Sequence, residues 1–122
     1  MQTIEFRDNS LFFKQVGETV LTLAEKVEGD KLTILLEGSV LYDFAPFVGE
    51  ELLLASYGFD HIAVDLSKTK SLCATCYDDF LDLQKKMEDR KEAEFYLLNS
   101  PRDILAEISQ IGYSYILDIR EE

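Results

Sequence analysis

Residues 31–66 read KLTILLEGSVLYDFAPFVGEELLLASYGFDHIAVDL, and the fold turns on how this stretch divides. Residues 31–37 are almost continuously apolar, the pattern of a strand covered on both faces and therefore of a sheet centre. From about Phe44 to Tyr57 the period changes, and Phe44, Val48, Leu52 and Ala55 fall on one helical face. Asp43 stands where a helix cap belongs, Pro46 lies in the first turn and Gly58 marks the stop. Residues 61–66 return to a short apolar strand.

The alternation continues downstream. After a polar loop, Cys76, Phe80, Leu83 and Met87 trace the buried stripe of a helix from about Cys76 to Arg90. Residues 93–98, AEFYLL, form another strand. In SPRD, Ser100 is placed to cap a helix over 101–111, with Pro101 at its first position and Asp103 returning the interaction. Ile104, Leu105, Ile108 and Ile111 are its expected buried face, Gly112 its end, and YSYILDI (113–119) the closing strand. Upstream, residues 3–7 and 11–16 read as two short strands around Asp8-Asn9-Ser10, and residues 19–27 as a third before the turn in VEGDK. The order predicts an α/β fold: a central mixed β-sheet with helices packed on it, plus an extra N-terminal strand pair.

Composition narrows the function. The chain has 122 residues, 47% of them hydrophobic, enough for a single domain that buries a core without disulfide or metal staples. Its formal charge is -12, and no stripe of lysine and arginine exists to neutralise phosphates, which argues against nucleic acid and anionic membranes as partners. An acidic excess instead favours encounter with a basic protein surface. No apolar run approaches the ~20 residues that cross a bilayer. The N-terminal MQTIEFRDNSLFFKQ lacks the pattern of a signal peptide, so the expected location is cytoplasmic and the cysteines are expected to be thiols.

Three segments carry a resemblance: LTILLEGSV before the first helix, HIAVDLSKTKSLCATC before the second, and NSPRDILAEISQIGYSYILDI at the end. In order and spacing they resemble the STAS domain, the module of bacterial anti-sigma-factor antagonists and of the cytoplasmic tails of sulfate transporters. The resemblance covers about residues 19–120 as a STAS-like core and leaves 1–18 as an N-terminal β extension. It implies a non-catalytic regulatory module that binds a protein partner, an anti-sigma factor or a serine/threonine kinase-like regulator. In such domains the loop after the strand ending in Asp-Leu-Ser usually reads Asp-Ser-Ser-Gly, and its second serine accepts phosphate from that kinase. Register places Cys73, Ala74, Thr75 and Cys76 at those positions, so Thr75 is the candidate phosphoacceptor. An aspartate usual at the place of Leu41 is also missing, with Asp43 two positions late; these departures bear on the switch more than on the fold. The implied partner face comprises Ser39, Leu41, Asp43, Ser71, Cys73, Ala74, Thr75, Asp78 and Asp79. The expected state is a monomer or weak homodimer, without cofactor, metal or catalytic residue.

Other readings of these residues stand beside it. Thr75 can be the helix N-cap, with Asp78 completing a capping box. Cys76 lies on the apolar stripe and reads as a small buried hydrophobe, while Cys73 in the loop is the more exposed. On that placement their sulfurs are expected to diverge, with no functional dithiol. A thiol redox protein or sensor stays open because C-x-x-C sits between a strand and a helix. Against it, the motif follows several elements rather than opening the chain. Zinc needs four ligands, and only His61 is available beyond the two cysteines. A small-ligand or lipid-associated accessory domain also stays open. Glu50-Glu51, Asp78-Asp79 and Glu88-Asp89 read as solvated helix faces, and no glycine-rich phosphate loop is present.

Overall fold

The computed structural model describes residues 2–122. Strands β1 (Gln2–Arg7) and β2 (Ser10–Gln15) join through Asp8 and Asn9, both at positive φ, the two-residue turn whose twist suits a hairpin. Val16 and Gly17 repeat the device before β3 (Glu18–Glu28), which turns into β4 (Lys31–Val40). These four strands form an antiparallel meander. Crossovers then begin: α1 (Ala45–Ala55) leads to β5 (His61–Asp65), α2 (Ala74–Glu88) to β7 (Glu94–Leu98), and α3 (Arg102–Gln110) to β8 (Ile119–Arg120). The sheet is mixed, with order β1-β2-β3-β4-β5-β7-β8, and β5, β7 and β8 run parallel to their neighbours. As the apolar run predicts, β4 is interior to the sheet, but it is not covered on both faces: Leu32, Ile34 and Leu36 are buried, Thr33 and Leu35 are half-buried and Glu37 is exposed.

Alternation along the strands decides which residues meet the helices. Leu32, Ile34 and Leu36 of β4, Ile62 and Val64 of β5, and Phe95 and Leu97 of β7 join the buried sides of all three helices in one cluster. Ala63, Tyr96 and Leu98 form a separate small cluster. The Arg120 guanidinium lies 3.9 Å from the Tyr96 ring centre and pairs with Glu94 at 3.0 Å, which holds the two-residue β8 on the sheet. The N-terminal hairpin is tied in through Phe13, fully buried and stacked on Phe44 at 5.1 Å.

Five local expectations need correction. Of the buried face expected for α3, only Ile104 and Ile108 are buried, while Leu105 and Ile111 are exposed. Residues 69–72, read as loop, form a further strand, β6 (Thr69–Leu72), parallel to the far end of β4. The closing strand expected over 113–119 is reduced to β8. Residues 113–117 turn instead, with Leu117 N–H donating to Tyr113 O at 3.0 Å, because buried Gln84 takes over their backbone. Its amide donates to Ile116 O at 2.6 Å and its oxygen accepts from Asp118 N–H at 2.6 Å. Ser100 does not cap α3: the N-cap is Pro101, and the Ser100 hydroxyl is buried without a partner. Pro101 has extended backbone, so the helix starts one residue late for Ser100 to reach its amides. Nor does Asp43 cap α1, whose N-cap is Phe44; its carboxylate accepts from the Gln2 amide.

Candidate functional site

The candidate residues are positioned by an irregularity where β4 meets β6. At Gly38 the chain adopts φ +107°, and the pairing advances one residue in β4, Gly38 to Ser39, against two in β6, Thr69 to Ser71, so the extra residue of the bulge is Lys70. Such a bulge re-aims the residues after it. Gly38 N–H donates to Lys68 O at 3.0 Å, and Thr69 Oγ1 donates to Leu36 O at 2.6 Å, which locks the loop between β5 and β6 onto β4. Both β5 and β6 then pair with the same flank of β4, one beyond the other. Beyond the bulge Ser39 pairs with Ser71 and Val40 with Leu72, and Cys73 N–H donates to Val40 O at 3.1 Å. The loop Leu41–Asp43 and the start of α2 thus leave side by side from the carboxyl ends of two parallel strands. In an open α/β sheet this is where ligands and partners meet the fold.

The structure therefore brings Ser39, Leu41, Ser71, Cys73, Ala74 and Thr75 to one end of the sheet. Ser71, Ala74, Thr75 and Asp78 are exposed, while Leu41 is half-buried and packed against the core. Asp43 is exposed but engaged by Gln2, so it does not take the place of the missing acid at Leu41. Asp78 accepts from the Tyr113 hydroxyl at 2.8 Å, linking α2 to the segment after α3. Asp79 lies over α1: a β-carbon added to Gly49 would sit 2.7 Å from its carboxylate. Burial, then Asp82 and Asp78, raise the Asp79 carboxyl above the usual range, so its charge at neutral pH opposes folding.

The start of α2 also departs from expectation. The helix begins at Ala74 with Cys73 as N-cap, so Thr75 is its second residue and not its cap, and no side chain caps the first turn. The Thr75 hydroxyl instead contacts the Cys73 sulfur at 3.2 Å. The sulfurs of Cys73 and Cys76 do not diverge. They lie 3.7 Å apart, because the extended N-cap backbone (φ -72°, ψ 159°) turns the Cys73 side chain back over the first turn. Cys76 is buried as its place in the stripe predicts, and burial followed by the neighbouring Cys73 pushes its thiol well above the ordinary range.

Sequence reasoning missed several residues of this end. Tyr77 donates to Glu107 at 2.6 Å and, with Ala74, Asp78 and Tyr113, lines a groove of about 360 Å³ between α2 and α3. Burial, then that hydrogen bond, raises the Tyr77 hydroxyl. These partners lie 30 residues apart in the chain, beyond any local pattern. Phe47 and Tyr42 are exposed beside the Asp43 loop. Phe47 had a readable signal, since it falls off the buried stripe of α1 although it is apolar.

No family model matches the chain, and no curated protein matches it in sequence. Solved structures do match. An anti-sigma factor antagonist from Mycobacterium paratuberculosis superposes with a TM-score of 0.71 at 14% identity, covering 82% of this chain and 85% of the other. The anti-sigma factor antagonist SpoIIAA in its unphosphorylated form gives 0.71 at 11%, over 82% and 87%. The Bacillus cell fate determinant SpoIIAA in the phosphorylated form gives 0.65 at 13%, over 84% and 90%. The chain has the fold of the anti-sigma factor antagonists, the STAS fold, in agreement with the resemblance read from its sequence. At these identities the likeness is one of fold. Among the described residues no helix is long and apolar enough to cross a membrane.

Proposed function

We propose that this chain is a non-catalytic regulatory module that docks a protein partner at the carboxyl ends of β4 and β6 and on the outer side of α2. The observation that carries this reading is the convergence beyond Gly38, where β4 pairs with the bulged β6. Strand pairing brings Ser39 beside Ser71, and Thr75 stands exposed on the first turn of the next helix. Around them, Tyr42 and Phe47, both exposed, and the half-buried Tyr113 supply the aromatic content that interfaces favour. The fold is shared with SpoIIAA, matched in both its phosphorylated and unphosphorylated forms. The partner we infer is an anti-sigma factor or serine/threonine kinase-like regulator.

Thr75 is the hydroxyl best placed to control docking. It is solvent-exposed, and the free amides of an uncapped helix start favour a phosphate beside it. Phosphorylation would add roughly 1.5 to 2 negative charges. It would do so within one helical turn of Asp78 and Asp79 in a chain already at -12, which repels an acidic contact surface and costs desolvation against an apolar one.

Site-specific photo-crosslinking in the native cell tests the location. A photoreactive residue at Asp78 should capture one regulator, and the same residue at Glu28, at the opposite end of the sheet, should not. Equal capture at both positions, or capture at Glu28 alone, would place the interface elsewhere.

A further inference from the structure

We propose that Cys73 and Cys76 form a reversible dithiol–disulfide couple at the start of α2. The inference stands on the geometry of the two sulfurs and does not depend on the docking face. They are 3.7 Å apart, so a bridge of about 2.05 Å requires them to approach by about 1.7 Å. That is within reach of side-chain rotation and a small adjustment of one helical turn. The turn is the first of α2, held by Cys76 N–H donating to Cys73 O at 3.0 Å.

The two thiols are unequal in a way that assigns their roles. Cys73 is half-exposed at the N-cap and open to a reagent in solution, whereas Cys76 is buried at 2% exposure. No side chain caps α2, so the first amides of the helix are unpaired beside the Cys73 sulfur. The Thr75 hydroxyl lies 3.2 Å from that sulfur, within hydrogen-bond reach. Burial, then the neighbouring Cys73, favours the protonated form of Cys76. Among the described residues, no third His, Cys, Asp or Glu joins them in a metal-holding group.

The oxidant is a low-molecular-weight disulfide such as oxidised glutathione. The Cys73 sulfur attacks one sulfur of that disulfide. An S–S bond forms to Cys73, the reagent's own S–S bond breaks, and the departing thiolate takes the Cys73 proton. The Cys76 sulfur then attacks Cys73, expels the second thiolate and passes its proton to it. Two protein thiols become one disulfide, and the reagent, gaining two electrons and two protons, becomes two thiols. Because Cys73 N–H is bonded to Val40 O at 3.1 Å, closing the bridge pulls on the end of β4 just before the Leu41–Asp43 loop.

The purified full chain is equilibrated in glutathione buffers stepped from fully reduced to fully oxidised, then acid-quenched and weighed by intact-mass spectrometry. The expected product is a single chain lighter by two hydrogens, restored by excess dithiothreitol. Cys76→Ser should stall with one glutathione attached to Cys73, and Cys73→Ser should remain unmodified; circular dichroism confirms that both are folded. Two free thiols in the fully oxidised buffer would overturn the proposal. So would bridges between chains only, or glutathione taken up by Cys76 in Cys73→Ser as fast as by Cys73 in Cys76→Ser.

Discussion

Gly38→Ala is expected to lower the unfolding free energy by about 3–5 kcal/mol, read as a fall in the urea midpoint with the slope unchanged. The backbone there has φ +107°, a region that L side chains rarely enter. A β-carbon would overlap the Val20 carbonyl oxygen and lie 3.2 Å from its carbon, and both atoms belong to the neighbouring strand. Relief means pushing β3 away from β4, where Leu21 pairs with Gly38, or changing the Gly38 backbone. A changed backbone would sacrifice the pairing of Gly38 with Thr69 and the bond from Thr69 to Leu36. A loss under about 0.5 kcal/mol, the scatter of ordinary surface substitutions, would show that the positive-φ backbone at Gly38 is not needed.

Phe80→Ala is expected to cost about 3–5 kcal/mol, the range for emptying a buried aromatic site. Phe80 is 0% exposed, with its ring 6.0 Å from that of Phe95 on the sheet and 6.4 Å, edge to face, from Tyr77. It fastens the helix that carries Thr75 to the strand beneath it. Chemical denaturation of Phe80→Ala beside Phe80→Leu separates lost volume from lost aromatic contact. The leucine variant should retain most of the stability. An alanine variant within about 1 kcal/mol of the parent would mean that α2 is held by something else.

Phe80 was readable because it sits on a stripe of Cys76, Phe80, Leu83 and Met87, all buried. The interior position of β4 was readable from its apolar run, but the expected cover on both faces was not met: Leu32, Ile34 and Leu36 are buried, while Thr33 and Leu35 on the other face are half-buried. What escaped depends on contacts between distant residues. Thr69–Leu72 is short and half polar, and becomes a strand only because the end of β4, Gly38–Val40, offers it a partner. Residues 113–117 have strand-like side chains, yet Gln84, about thirty residues earlier, satisfies their backbone and bends them away. Proximity of Cys73 and Cys76 could not be read from spacing, because it depends on the N-cap dihedrals, and these set the helix start two residues ahead of the periodic stripe.

The same shift of the helix start changes what Thr75 does. As a cap it would hold the helix together, whereas as the second residue it contributes an exposed hydroxyl and a contact to sulfur. Thr75→Ala should therefore leave both stability and docking near those of the parent. Thr75→Glu, which sets a charge beside Asp78 and Asp79, should weaken docking about tenfold or more, a difference of about 1.4 kcal/mol. The direct measurement is the dissociation constant of the partner captured through position 78, titrated against the parent chain, Thr75→Ala and Thr75→Glu. A docking face at the start of α2 predicts near-equal values for the first two and at least a tenfold rise for the third. Equal affinity for all three, or the same loss in Thr75→Ala as in Thr75→Glu, would contradict it.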